Sequence, residues 1–79
     1  MRLDKFLKVS RLIKRRTVAN EACDAGRLSV NGKVAKASQE VKVGDVISIR
    51  FGDKNVEAEI LSITETVRKE EAKEMFRYL

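Results

Sequence analysis

The residues with the clearest chemistry are the basic side chains at the N-terminal end of the chain. Residues 1–16 hold seven arginines and lysines against one acid, Asp4, whereas the whole chain of 79 residues has a net charge of +5. Residues 51–79 carry more acids than bases. Charge concentrated at one end creates a directed field that attracts a polyanion. The seven basic residues are Arg2, Lys5, Lys8, Arg11, Lys14, Arg15 and Arg16.

The composition argues against several kinds of reactive site. The chain has one cysteine, Cys23, and no histidine. It therefore lacks a Ser–His or Cys–His nucleophile pair and the ligands of a protein zinc site. A chain this short builds a thin core, which leaves little room for a deep substrate cavity. We expect no enzymatic activity, no cofactor, no metal and no small-molecule substrate, and the lone cysteine indicates a reducing, cytoplasmic setting.

An anionic membrane surface is the chief rival to nucleic acid as the partner of the basic segment. A helix that lies on a membrane needs exposed bulky apolar residues opposite its charges. Leu3, Phe6 and Leu7 follow i, i+3, i+4 spacing, and so small a domain needs them for its core. No signal-peptide core and no membrane-spanning run is present in the sequence. We therefore expect no membrane partner and favour nucleic acid.

Two helices are predicted to carry the basic residues. The Leu3, Phe6 and Leu7 stripe predicts the first helix, and Thr17 is predicted to be the N-cap of a second helix that ends before Gly26. The pair Arg15–Arg16 stands just ahead of this second helix. Backbone N–H groups at a helix N-terminus favour a phosphate. A phosphate at this position would therefore meet both the two arginine side chains and these N–H donors.

The remaining elements are predicted to be strands and a final helix. Asn31–Gly32 predicts a hairpin turn, and alternation in residues 47–51 and 56–60 predicts two further strands. A stripe at i, i+3, i+4 and i+7 predicts a C-terminal helix from about Arg68. The predicted fold class is α+β, with two N-terminal helices packed on a small antiparallel sheet and a C-terminal helix. The stripe residues are Ala72, Met75, Phe76 and Leu79.

The aromatic residues bear on how RNA would be recognised. Phe6, Phe51 and Phe76 fit apolar stripes and are predicted to be core, which leaves Tyr78 as the free aromatic side chain. Stacking on unpaired bases needs exposed aromatic rings. We therefore expect recognition of RNA shape and phosphate.

Residues 2–32 closely resemble the RNA-binding domain first named from ribosomal small-subunit protein four. The resemblance covers about residues 1–50, with one departure at Ala37, where many members have proline. The shared residues are Arg2-Leu3-Asp4, Arg11, Arg15-Arg16-Thr17, Ala19, Gly26-Arg27, Val30-Asn31-Gly32, Ser38 and Val43-Gly44-Asp45. The resemblance implies an RNA face, and the residues carried over to it are Arg2, Asp4, Lys5, Arg11, Arg15, Arg16, Asn31, Gly32 and Lys33.

Because nothing catalytic follows, the chain is similar to the stand-alone members, and most similar to the RqcP group. The resemblance implies an RNA-binding domain over residues 1–64 and a C-terminal helical extension over residues 65–79. It implies a ribosome-associated quality control factor of protein biosynthesis, which binds stalled large ribosomal subunits carrying peptidyl-tRNA. The implied partners are large-subunit ribosomal RNA, tRNA and, through the ribosome, an RqcH-like factor that adds alanine tails to the nascent chain.

Two alternatives remain open at this stage. One is a large-subunit recycling factor of the heat-shock-protein-fifteen type. The other is a protein-interaction adaptor that uses the final helix, with incidental RNA contact.

Overall fold

The computed structural model describes residues 1–65 and 68–79. The described part of the chain holds three helices and five strands, and the strands form one antiparallel sheet in the order β2-β1-β3-β4-β5. The predicted α+β class is confirmed. The elements are α1 Leu3–Val9, α2 Arg16–Asp24, β1 Leu28–Val30, β2 Lys33–Val34, β3 Val46–Phe51, β4 Lys54–Ile60, α3 Lys69–Ala72 and β5 Phe76–Tyr78.

The core lies between the helices and one face of the sheet. Leu3, Phe6 and Leu7 of α1 are fully buried, as their spacing predicts. They belong to one apolar cluster with Ile47 and Ile49 of β3. Since side chains alternate along a strand, Ser48 between these two and Arg50 after them point to the opposite face, which is open to solvent. In the part of the chain that the structure describes, no helix is long and apolar enough to cross a membrane.

Helix α2 begins two residues earlier than a Thr17 N-cap would allow. The N-cap is Arg15, whose carbonyl oxygen accepts the hydrogen bond from the backbone N–H of Ala19 at 3.1 Å. The prediction for Thr17 is therefore wrong, and Thr17 lies inside the first turn. The cap makes no side-chain hydrogen bond, so this helix start depends on tertiary contacts of Arg16 that are described below.

The predicted hairpin is confirmed. Val30 pairs with Lys33, and the two turn residues, Asn31 and Gly32, have φ angles of 52° and 84°. Two successive positive φ values define the type I′ turn, whose twist matches that of paired strands.

The C-terminal helix is present but shorter than predicted. It ends at Ala72, and the chain then returns to the sheet as β5, where Phe76 pairs with Ile60. Phe76 is buried as predicted and Met75 is buried beside it, whereas Leu79 is exposed. A helix this short has little stability of its own, and the free edge of β4 offers backbone partners to an aromatic-rich segment. The boundary between residues 64 and 65 stays a prediction.

Phe51 was predicted to be core and is 49% exposed. It is the last residue of β3, beside the turn at Gly52, while the buried part of the strand ends at Ile49. Alternation places Phe51 on the buried face of the sheet, but the apolar cluster does not extend to the end of the hairpin. The prediction is therefore wrong, and the part of the chain that the structure describes has two exposed aromatic rings, Phe51 and Tyr78.

Candidate nucleic-acid interface

A buried carboxylate, Asp4, organises the centre of the basic segment. Asp4 lies in the first turn of α1 and is 1% exposed. Arg2 and Arg16 each donate to it from both Nε and Nη2, with Nε distances of 3.2 Å and 3.1 Å. Asn20 Nδ2 donates to Oδ2 at 3.0 Å, and the backbone N–H of Lys5 donates to Oδ1 at 2.8 Å. A buried charge is tolerated when it is paired and hydrogen-bonded to this degree. We call Arg2, Asp4, Arg16 and Asn20 the Asp4 cluster.

Separate elements bring the two arginines to Asp4. Arg2 precedes α1 in extended conformation and forms an isolated β-bridge with Glu40. Arg16 is the first residue of α2. Their side chains remain 48% and 46% exposed, so one edge of each guanidinium faces the carboxylate and the rest faces solvent. The result is two planar forks held in place, the geometry that suits phosphate groups.

The charge state of Asp4 follows from two opposing effects. Burial raises the pKa of Asp4, but the hydrogen bonds from Arg16, Asn20 and the Lys5 backbone hold it below its ordinary value of 3.8. Asp4 is therefore ionised at neutral pH, and two arginines with one carboxylate keep a net positive charge. Asp4 therefore orients two arginines, Arg2 and Arg16.

Asn20 belongs to the Asp4 cluster, although it is not among the site residues predicted from the sequence. Besides contacting Asp4, its Nδ2 donates to the backbone oxygen of Arg16 at 3.0 Å. The available signal was its position four residues after Arg16, which places both on one face of α2. A single polar residue at that spacing is common on helices, so the pattern alone was weak.

Lys5 is held by an acid from the C-terminal part of the chain. Its Nζ donates to Oε2 of Glu65 in an exposed ion pair. The hydrogen bond and the charge of Lys5 lower the pKa of Glu65. A phosphate that binds Lys5 must therefore compete with Glu65.

Arg11 and Arg15 lie in the connection between the first two helices. Arg11 follows α1 with a φ angle of 63°, a left-handed conformation that costs about 1–2 kcal/mol for a residue with a Cβ. Both side chains are exposed. Among residues 1–65 and 68–79, neither forms an ion pair. Their cationic groups are therefore available to an anion near the start of α2.

The three predicted hairpin residues play different parts. The Asn31 side chain donates to Asp45 Oδ1 at 3.0 Å and accepts from the backbone N–H of Val46 at 3.0 Å, so it ties the turn to the next strand. Gly32 supplies the turn conformation, and Lys33 is exposed. In the described part of the chain, no hydrogen bond joins these residues to the Asp4 cluster. Their contact with RNA stays a prediction.

Comparison with known families identifies the fold around this cluster. The model of the S4 domain matches residues 1–47. The chain belongs to the S4 domain family. The matched part of this S4 domain protein contains the Asp4 cluster and every other predicted RNA-face residue, and it ends within β3.

Named relatives and solved structures are similar over nearly the whole chain. "RQC P-site tRNA stabilizing factor" of Halalkalibacterium halodurans is 64% identical over 76 residues, which cover 96% of this chain and 86% of that protein. The protein of the same name from Bacillus subtilis is 57% identical, covering 100% of this chain and 92% of its own length. The trimeric structure of Vibrio cholerae heat shock protein 15 is 32% identical, with a TM-score of 0.91 over 100% of this chain and 81% of that one.

Proposed function

We propose that this S4 domain protein is a non-enzymatic RNA-binding factor of ribosome-associated quality control, which stabilises P-site tRNA on the large ribosomal subunit. The observation that carries the proposal is the pair of half-exposed guanidiniums fixed on the buried Asp4 carboxylate. The names of the two relatives that are 64% and 57% identical support the choice of RNA.

The Asp4 cluster acts by being organised before RNA arrives. Ordering a long arginine side chain on binding costs roughly 0.5–1.5 kcal/mol. Hydrogen bonds to Asp4 already order the Arg2 and Arg16 side chains in the free protein, so much of this cost does not arise when RNA binds. A factor with no chemistry of its own then works by population shift, because it favours the ribosome–tRNA arrangement that it contacts best.

The proposed RNA partners are large-subunit ribosomal RNA and the tRNA of a stalled peptidyl-tRNA. Through the ribosome, the factor supports the alanine tailing that an RqcH-like protein performs. The RNA face consists of Arg2, Lys5, Arg11, Arg15, Arg16, Gly32 and Lys33, with Asp4 and Asn31 as positioning residues.

A second candidate is a large-subunit recycling factor of the heat-shock-protein-15 type. The high structural similarity to the Vibrio cholerae protein supports it. The identity of 32% to that protein is well below the identity to the tRNA-stabilising relatives, so the first candidate is preferred.

Sedimentation of cell lysate through a density gradient tests the proposal. We expect the tagged wild type to travel with large subunits whose fractions contain tRNA, and Arg2→Ala/Arg16→Ala to stay at the top. Arg68→Ala/Arg77→Ala removes the same charge from exposed C-terminal positions and should travel as wild type does. Wild type absent from all ribosomal fractions would contradict the proposal. Loss of alanine tails in the double variant separates the tailing role from recycling.

A further inference from the structure

A second basic cluster lies on the solvent-facing side of the sheet, outside the Asp4 cluster. Arg27 immediately precedes β1, and Arg50 lies in β3. Leu28 pairs with Ile49, so the antiparallel register places Arg27 directly opposite Arg50. The backbone N–H of Arg50 donates to the Arg27 oxygen at 2.9 Å, which confirms this register. Residues paired in this way have Cβ atoms about 4.5–5.5 Å apart.

The pairing of Arg27 with Arg50 works against the stability of the sheet. Like charges directly opposite each other on neighbouring strands are destabilising. On its other side Arg50 pairs with Asn55, which carries no charge to compensate. Within residues 1–65 and 68–79 neither arginine forms an ion pair, whereas Arg77 on β5 pairs with Glu59.

The nearby acids leave the repulsion in place. Glu57 shares this face of the sheet and accepts a hydrogen bond from Ser48 Oγ at 3.3 Å. Asp53 lies in the turn between β3 and β4 and is accompanied there by Lys54. The local charge therefore remains positive, and a bound anion would relieve the repulsion between the arginines.

The surface around the two arginines is an open depression of about 660 Å³. Arg27, Arg50 and Lys54 line it together with the hydroxyl-bearing Ser29 and Ser48. Gly52 also contributes to it, and a Cβ at that position would meet no atom within 4 Å. Cations, hydroxyl groups and open access suit the sugar–phosphate backbone of a nucleic acid.

We propose that Arg27 and Arg50, here called the sheet surface, bind RNA backbone at a point separate from the Asp4 cluster. This proposal rests on the function proposed above. Arg16 begins α2 and Arg27 follows its end, and a helix of nine residues is about 13 Å long. The Arg16 guanidinium is held on Asp4 near the start of that helix, so the two surfaces contact different phosphate groups of the RNA. Two linked contacts give a small binder the avidity to hold a tRNA against the ribosome.

The test compares charge-removing variants for binding to purified large ribosomal subunits that carry P-site tRNA, across a series of KCl concentrations. Arg27→Gln/Arg50→Gln should weaken binding about tenfold at moderate salt, because hydrogen bonds to charged groups are lost. The slope of log affinity against log salt should fall by about 2, since two phosphate contacts disappear. Its melting temperature should be no lower than that of wild type, because the like-charge pair is gone.

The matched control is Arg68→Gln/Arg77→Gln, which removes the same charge elsewhere and should leave the affinity and the salt slope unchanged. If the sheet-surface variant binds as wild type does while Arg2→Ala/Arg16→Ala loses binding, the sheet surface is refuted and the proposed function stands. If both variants bind as wild type does, both proposals fail. Wild-type affinity of the sheet-surface variant with loss of alanine tailing would indicate an acidic protein partner, and this too overturns the RNA assignment.

Discussion

Replacing Asp4 with asparagine tests whether the buried carboxylate holds the RNA-binding arginines. Asp4→Asn keeps the size and one acceptor oxygen, but it removes the charge that both arginines contact. Breaking a fully buried ion pair costs about 3–5 kcal/mol. Here the arginine side chains are 48% and 46% exposed, so water can replace the lost contact and the cost is smaller. We expect a loss of about 1–2 kcal/mol of unfolding free energy, near the lower end of the range of about 1.5–3 kcal/mol for one charged hydrogen bond.

The effect of Asp4→Asn on stability should also depend on pH. Because the folded-state pKa of Asp4 lies below its ordinary value of 3.8, its contribution to stability is fully present above that value. The contribution is lost as the pH falls through the lower, folded-state pKa. Wild type should therefore lose stability relative to Asp4→Asn in acid, and the difference between their melting temperatures should shrink below about pH 3.8.

Thermal unfolding followed by circular dichroism at neutral and acidic pH measures both effects. A loss of about 1–2 kcal/mol lowers the melting temperature of a domain this size by roughly 5–15 °C. RNA affinity should also fall, since the two guanidiniums are no longer fixed. Asp24→Asn, at an exposed acid in the last turn of α2, is the control and should change the stability by less than about 0.5 kcal/mol. An Asp4→Asn variant with wild-type melting temperature and wild-type RNA affinity would refute the positioning role.

Three further variants test the RNA face by gel shift with ribosomal RNA and by thermal unfolding. Arg16→Lys keeps the charge but loses the planar fork, so affinity should fall by about 1 kcal/mol, and full retention would argue for charge alone. Glu65→Gln frees Lys5 and should raise RNA affinity several-fold at low salt. At high salt the gain should be small, because exposed charges are screened. Weaker binding of this variant would show that Glu65 does not compete with RNA. Arg11→Gly relieves the left-handed conformation, so stability should hold or rise by about 1 kcal/mol while affinity falls. Wild-type affinity of that variant would remove Arg11 from the site.

The elements governed by local chemistry could be predicted from the sequence. Leu3, Phe6 and Leu7 indicate both the first helix and its buried face, because helical spacing fixes which side chains share a face. Asn31–Gly32 indicates the hairpin, because few residue pairs tolerate two positive φ angles. In each case the signal lies within a few residues, and the structure confirms it.

The errors arise where distant parts of the chain decide the outcome. The stripe through Met75 and Phe76 fits helical spacing, but pairing with β4 draws Phe76 into the sheet. Asn20 looks like an ordinary polar helix residue until α1 brings Asp4 beside it. Such contacts depend on how the elements dock, and local pattern carries no information on that docking.

The positions of the arginines connect the fold to the proposed function. Arg11 adopts a backbone conformation that suits glycine, and Arg27 and Arg50 face each other across two strands. Arg2 and Arg16 share a single buried carboxylate. The arrangements of Arg11 and of the Arg27–Arg50 pair oppose the stability of the isolated domain, and natural sequences keep such conflicts mainly where function requires them. A polyanion that lies across Arg27 and Arg50 would relieve their repulsion, and RNA that binds the folded state stabilises it. We therefore expect RNA to raise the melting temperature of wild type more than that of variants lacking these arginines.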